Sequence, residues 1–417
     1  MTVDQILVGV AVAAGIYMAW NIGANDVANA FGTSVGSGAL TIKRAIVLAA
    51  IFEFAGAFLV GDKVAGTISG NIVNTADFSA LSDNIGLGML AALIASSIWL
   101  NVATHFGQPV STTHAIIGAV IGFGIVAAGP QCIQWDNMGT IVASWVISPI
   151  FGGVLAYAIY RFAVKKYVLD SRHPVYRTMA FMPIAIGSLI GVVAFSITYN
   201  GLHGLKLDML WWQASIVAII AGSVALITAR LIIGPRMVRH GVRRNERYRT
   251  VERWFGYMQI STACYMSFAH GANDVANAIG PLASALHFLG GGAAVASVPI
   301  PTWVLAMGGV GIVLGLATYG YKVIAAIGTK ITEMTPTRGF SAEFGTATSV
   351  LVFSKMGMPI STTFVIVGAV MGVGFARGFG AIDLGVIRKI FASWLITIPI
   401  SGVLTAIVYS LMVALTR

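Results

Sequence analysis

Gly23-Ala-Asn-Asp-Val-Ala-Asn-Ala30 recurs residue for residue as Gly271-Ala-Asn-Asp-Val-Ala-Asn-Ala278, 248 positions later. Working outward, Pro109-Val-Ser-Thr-Thr-His-Ala-Ile-Ile-Gly-Ala-Val-Ile-Gly122 returns as Pro359-Ile-Ser-Thr-Thr-Phe-Val-Ile-Val-Gly-Ala-Val-Met-Gly372, nine identities in fourteen at an offset of 250. Ala143-Ser-Trp145 and Gly153-Val-Leu155 return as Ala392-Ser-Trp394 and Gly402-Val-Leu404 at an offset of 249. Three blocks in one order at nearly one offset mark an internal duplication.

The duplicated blocks are set in apolar sequence. Of 417 residues, 57% are hydrophobic and 10% charged, against about 25% charged in a soluble domain. Mean hydropathy is +0.86. This excludes a soluble globular protein, a disordered chain and a disulfide scaffold. Apolar stretches near 3–31, 43–61, 86–104, 109–129, 138–160, 179–198, 212–233, 256–280, 301–320, 340–356, 359–377 and 387–415 predict an all-α polytopic membrane protein of about twelve segments. The pairs around 86–129 and 340–377 are broken at Gln108-Pro109 and Met358-Pro359, which leaves two readings open, full spans or re-entrant hairpins. Cys132 and Cys264 form neither a disulfide framework nor a metal spacing. The N-terminal stretch lacks a basic flank and reads as the first membrane helix, not a removable signal peptide.

Charge gives the expected orientation. Twenty-one of the 25 basic residues fall on one side of the segments, and only Lys63, Lys206, Lys355 and Arg417 on the other. Positive loops stay cytoplasmic, so both termini are expected to face outward in the cell membrane. The basic run at 235–253 is then a topology signal, with no nucleic acid as partner. Five or seven segments precede the second GANDVANA copy, and either odd number turns the second half upside down. The expected units are a first inverted repeat over 1–160, two linking helices over 161–255 and a second repeat over 256–417. Inverted repeats around a midplane site are common among secondary transporters.

Four of the fifteen acids lie within apolar segments: Asp26, Glu53, Asp274 and Glu343. Intramembrane ionisable groups are costly and usually functional. Asp26, flanked by Asn25 and Asn29, and Asp274, flanked by Asn273 and Asn277, occupy equivalent repeat positions. Gly followed by Asn-Asp is a poor helix interior, so a mid-membrane helix break is expected at both copies, freeing carbonyl oxygens for a hard cation such as sodium. Glu343, among Ser341, Thr346 and Thr348, is a further sodium candidate; its alternative is a carboxylate paired with Arg338. Glu53 has no acidic repeat partner, which favours a structural role. Gln108, Ser111, Thr112, Thr113, Ser361, Thr362 and Thr363 stand at two helix starts, where free N–H groups favour an anion. Capping uses one hydroxyl, not three in a row twice. Near these starts the basic residue is Lys355 alone, so an anion would meet Asp26 and Asp274 with little positive charge. Anion binding is therefore expected to require cations. His105, His114 and His270 offer a weaker route to proton coupling, and the tryptophans suggest interface anchors. No catalytic residue and no cofactor is expected: there is no His-Glu zinc spacing and no nucleophile elbow.

Duplicated GANDVANA with duplicated Pro-[Val/Ile]-Ser-Thr-Thr resembles the inorganic phosphate transporter (PiT) family of sodium- or proton-coupled phosphate symporters. The resemblance covers roughly 20–155 and 268–405. It implies inverted repeats, import of inorganic phosphate with sodium ions as co-substrate, and homodimers in the lipid bilayer. By position it assigns cation and phosphate binding to Asn25, Asp26, Asn273 and Asp274, and phosphate oxygens to the two Ser-Thr-Thr triplets. The 234–255 loop is too short for the central cytoplasmic domain that many members carry. Proton-coupled phosphate transport and sulfate symport on the same fold are the alternatives.

Overall fold

In hydrocarbon every backbone polar group must find its partner inside the protein, and a helix does this within one segment. The computed structural model describes residues 3–74, 82–106, 110–199, 209–237, 246–293, 295, 298–320, 334–378 and 384–416. These are almost wholly helical: α1 (Val3–Gly36), α2 (Ile42–Val60), α3 (Asp62–Gly70), α4 (Ser82–His105), α5 (Thr112–Ala128), α6 (Trp135–Ala158), α7 (Pro174–Thr198), α8 (Trp211–Met237), α9 (Arg247–Asp274), α10 (Ala276–Leu289), α11 (Thr302–Gly315), α12 (Pro336–Lys355), α13 (Thr362–Arg377) and α14 (Leu384–Thr416). α6 and α11 each run on into a π-helical stretch, Ile159–Leu169 and Leu316–Gly320.

Seven of these helices are long and apolar enough to cross a membrane, and an eighth span forms if α2 and α3, bent by 62° at Gly61, are taken together. α5 and α13, at 17 and 16 residues, are shorter, and each returns from a turn that follows α4 or α12. The chain is an all-α polytopic membrane protein.

One expectation fails. α1 runs unbroken from Val3 to Gly36, straight through Gly23–Ala30. The second copy is interrupted only at Val275, which joins α9 to α10 and keeps helical backbone angles (φ −55°, ψ −32°). Asn and Asp disrupt a helix by bonding its own backbone. Here those side chains find partners on other elements, so the helix survives. Gly23 and Gly271 serve packing instead. A Cβ at Gly23 would collide with the Ile312 carbonyl of α11, and one at Gly271 with the Glu53 carbonyl of α2.

Close glycine contacts recur at matched positions. Gly118 and Gly122 of α5 lie against Ile398 and Gly402 of α14; Gly368 and Gly372 of α13 lie against Pro149 and Gly153 of α6. Small residues let membrane helices approach to backbone contact. α7 and α8 pack on each other through Gly187, Gly191 and Gly222. Most of α8 faces outward with apolar side chains such as Ile219 and Leu231, as suits a lipid-facing helix.

Candidate anion and cation site

Four helix segments carry the two motif pairs to one buried centre. α5 and α13 begin there at Thr112 and Thr362, directly after extended Ser111 and Ser361. Ser111 Oγ accepts from the His114 N–H at 3.2 Å, an N-cap. Ser361 Oγ is buried and has no hydrogen-bond partner among the described residues. α1 and the α9–α10 pair bring in the amides and carboxylates.

The contacts knit the two halves together. Asn29 Nδ2 donates to Asp26 Oδ1 at 3.1 Å and to Thr363 Oγ1 at 2.9 Å. Thr363 Oγ1 in turn lies 3.4 Å from Asp26 Oδ1. On the other copy, Asn277 Nδ2 donates to Thr112 and Thr113 at 3.3 and 3.2 Å. Thr362 Oγ1 donates to Asp274 Oδ2 at 2.7 Å. Asn25 Nδ2 donates to the Val110 carbonyl at 3.1 Å. Turning the Asn273 amide over places its nitrogen 3.0 Å from the Ile360 carbonyl. Ile360 is the repeat counterpart of Val110, so this orientation reproduces the Asn25 contact and is the one we adopt.

Asp26, His270 and Asp274 offer ligand atoms that all lie within 4.8 Å of one another. His270 Nε2 stands 2.6 Å from Asp274 Oδ2, and its Nδ1 stands 2.6 Å from Glu53 Oε2. The imidazole therefore bridges two buried carboxyl groups, with its hydrogen bond made at Nδ1 to Glu53. Counted as three carboxylates and one imidazolium, the cluster has a formal charge of −2. The charges that act on Asp26 are those of Asp274, His270 and Glu53, with no lysine or arginine among them. Asn277 Oδ1 and Glu53 Oε1 are buried oxygens without a hydrogen-bond partner among the described residues. Carboxylate and amide oxygens in a negative pocket suit a hard monovalent cation. Helix N-termini and hydroxyls beside them suit the oxygens of an anion.

The turn before α13 is held carbonyl by carbonyl. Gly357 O accepts from Thr67 at 2.7 Å, Pro359 O from Trp145 Nε1 at 2.9 Å and Ile360 O from Thr113 at 2.9 Å and from the Asn273 amide at 3.0 Å. This fixes where Ser361, Thr362 and Thr363 point.

Glu343 does not join the centre. It is a fully buried residue of α12 that meets α1 about two helical turns beyond Asp26, and it accepts from Thr33 (2.5 Å), Ser34 (2.7 Å), Gln259 (3.2 Å) and Thr262 (2.6 Å). All four donors are neutral, and Arg338 is not one of them. Gln108 lies outside the described residues. The sequence reading missed three participants. Glu53 was assigned to structure, yet it touches His270 within the charged cluster. His270 was grouped with His105 and His114, yet His114 packs on Trp145 and Phe364 with ring centroids 3.9 and 4.4 Å away. Trp145 is buried and is a clamp on the Pro359 turn rather than an interface anchor. Its presence in the third repeat block was the available signal.

Comparison with known proteins gives the family. Residues 22–405 match the model of the phosphate transporter family. The chain is 44% identical to the inorganic phosphate transporter 2-1, chloroplastic, of Arabidopsis thaliana, over 95% of this chain and 70% of that protein. It is 44% identical to a putative phosphate permease of Pyrococcus abyssi over 95% and 96% of the two chains. A solved structure described as the sodium-dependent phosphate transporter superposes with a TM-score of 0.91 at 37% identity, covering 98% of this chain and 99% of that one. A helical membrane core in which duplicated Asn-Asp helices meet duplicated Ser-Thr-Thr helix starts is thus a transporter and not an enzyme, and the chain belongs to the phosphate transporter family.

Proposed function

We propose that the chain imports inorganic phosphate together with sodium ions, by alternating access around the buried centre. The observation that carries this is the cluster of three buried carboxyl groups, Asp26, Glu53 and Asp274, around His270, directly beside two helix N-termini. Phosphate entering such a centre meets repulsion unless cations enter with it. At about 4 Å and an effective dielectric near 20, one pair of unit charges contributes roughly 4 kcal/mol. Sodium held by Asp26, Asp274 and the amide oxygens of Asn25, Asn29, Asn273 and Asn277 reverses the sign. Glu343, with its shell of hydroxyls and amide, is a separate cation position. Ser111, Thr112, Thr113, Ser361, Thr362 and Thr363, with Gln108 from the sequence motif, hold phosphate oxygens.

The duplicated blocks and odd segment parity support two inverted repeats that rearrange around the site. The one-sided basic loops support termini on the extracytoplasmic face. Homodimers follow from the family resemblance. Phosphate is favoured over sulfate because Asp26 and Asp274 can accept the proton of a phosphate hydroxyl, which sulfate lacks at neutral pH. The test is uptake of labelled phosphate by proteoliposomes under a sodium gradient, then a proton gradient, with sulfate as competitor. Sodium-driven uptake that sulfate leaves intact is expected. Uptake that ignores the sodium gradient overturns the symport reading.

A further inference from the structure

Two lysines converge on one tyrosine at the end of the molecule opposite the basic loops. Lys355, the last residue of α12, donates from its ammonium to the Tyr199 carbonyl at 2.7 Å. Lys63, in the first turn of α3, holds its ammonium 5.7 Å from the centroid of the Tyr199 ring. The two cations act on each other, and Asp62 is the acid beside them. Their position along the bundle is fixed independently. Arg247 reaches the Arg172 carbonyl, and Glu252 of α9 accepts from both the N–H and the hydroxyl of Thr337, so α7, α9 and α12 all start at the basic end. α7 then rises 25 residues, about 37 Å, to deliver Tyr199 at the other end.

Lysines are disfavoured on the side opposite the basic loops, and only four basic residues of the sequence belong there. Two of those four meet at this tyrosine. The pull of a helix C-terminus on a cation explains Lys355 at the end of α7. It does not explain a second ammonium beside it, where like charges repel. The pair also sits on the frame of the transport centre. Ser354, next to Lys355, donates to the Asn273 amide oxygen at 2.8 Å, and Thr67, one turn on from Lys63, holds the Gly357 carbonyl. Residues beside both lysines therefore brace the turn and the asparagine that position the Ser361-Thr362-Thr363 helix start. We infer that Lys63 and Lys355 together receive a phosphate oxyanion ahead of the transport centre. This rests on the proposed entry of phosphate from this end. The centre itself is negative, so the pair supplies the attraction that the centre lacks, raising the local phosphate concentration where sodium has yet to act.

The experiment is phosphate uptake by proteoliposomes at fixed sodium, with ionic strength set by choline chloride. At low ionic strength the double variant Lys63→Gln, Lys355→Gln is expected to raise the phosphate KM roughly tenfold and leave Vmax unchanged. The gap should close as salt screens the charges, and Lys355→Arg should keep the wild-type KM. An unaltered KM in the double variant overturns the inference. So does a rise that persists at high salt or in Lys355→Arg, which makes Lys355 a helix cap alone. Vesicles of phosphatidylcholine alone and with phosphatidylglycerol separate free phosphate from lipid phosphate. Equal wild-type KM in both is expected; a KM raised by phosphatidylglycerol only while the lysines are present gives the pair to lipid and overturns the capture role. Uptake lost in the variants but present in the wild type leaves the transport reading standing. Absence of uptake by the wild type itself overturns that reading and this role with it.

Discussion

His270 stands between Glu53 and Asp274, 2.6 Å from each carboxyl group. Glu53 thus sets the charge of the centre without being placed to meet the anion. Glu53→Gln keeps an acceptor for Nδ1–H but moves the formal charge from −2 to −1. The weaker field should cost about 1.4 kcal/mol of cation binding, so half-saturating sodium for phosphate uptake should rise roughly tenfold. Asp62→Asn, outside the cluster, should leave it unchanged. A sodium titration of uptake checks both. Asp26, Asp274 and the Ser-Thr-Thr hydroxyls were legible in the sequence because duplication marked them. Glu53 was not, because its partner lies 217 residues away and repeat symmetry pointed the wrong way. The contact made by Gly23 falls on Ile312, and that made by Gly271 falls on Glu53. An ion pair, His270 with Glu53, therefore occupies on one side the place that two isoleucines, Ile22 and Ile312, occupy on the other. A departure from symmetry that looked incidental in the sequence is a feature of the charged centre.

At the scale of the element, the α6–α13 and α5–α14 pairs depend on backbone contact. A Cβ at Gly372 would fall on the Gly153 carbonyl oxygen, which is backbone and cannot swing away. Gly372→Ala should therefore push α13 from α6 and destabilise the fold by about 1–3 kcal/mol. It should also shift Thr362 and Thr363 and raise the phosphate KM. Gly139→Ala, where an added Cβ meets nothing within 4 Å, should be neutral or slightly stabilising. Thermal unfolding in detergent distinguishes them. Helices of this kind were readable from apolar length alone. The continuity of α1 was not, because local propensity argues for a break at Asn25-Asp26. The partners that prevent it, Val110 and Thr363, arrive from segments far along the chain. Helix boundaries followed the same pattern: α9 starts at Arg247, beyond the apolar window, where Glu252 reaches across to Thr337.

For the whole molecule, the governing quantity is the coupling between anion and cation. The two Ser-Thr-Thr starts and the carboxylates share one buried centre, so under the proposed symport phosphate and sodium would not bind independently. Linkage requires that each raise the affinity of the other by the same factor. A ligand that binds only the folded state stabilises it by about 2.7 kcal/mol at one hundred times its Kd. Phosphate in choline buffer should therefore leave Tm where it was. The same phosphate with sodium should raise Tm by more than sodium alone, and sulfate should not replace it. In Asp26→Asn and in Asp274→Asn the sodium-dependent increment should vanish while the ligand-free Tm stays close to wild type, since each Asn still pairs with its threonine. The charge on the carboxylates, and not their hydrogen bonds, is then what ties phosphate to sodium. A phosphate-induced Tm shift of equal size with and without sodium would break that tie and leave the −2 centre without its role in symport.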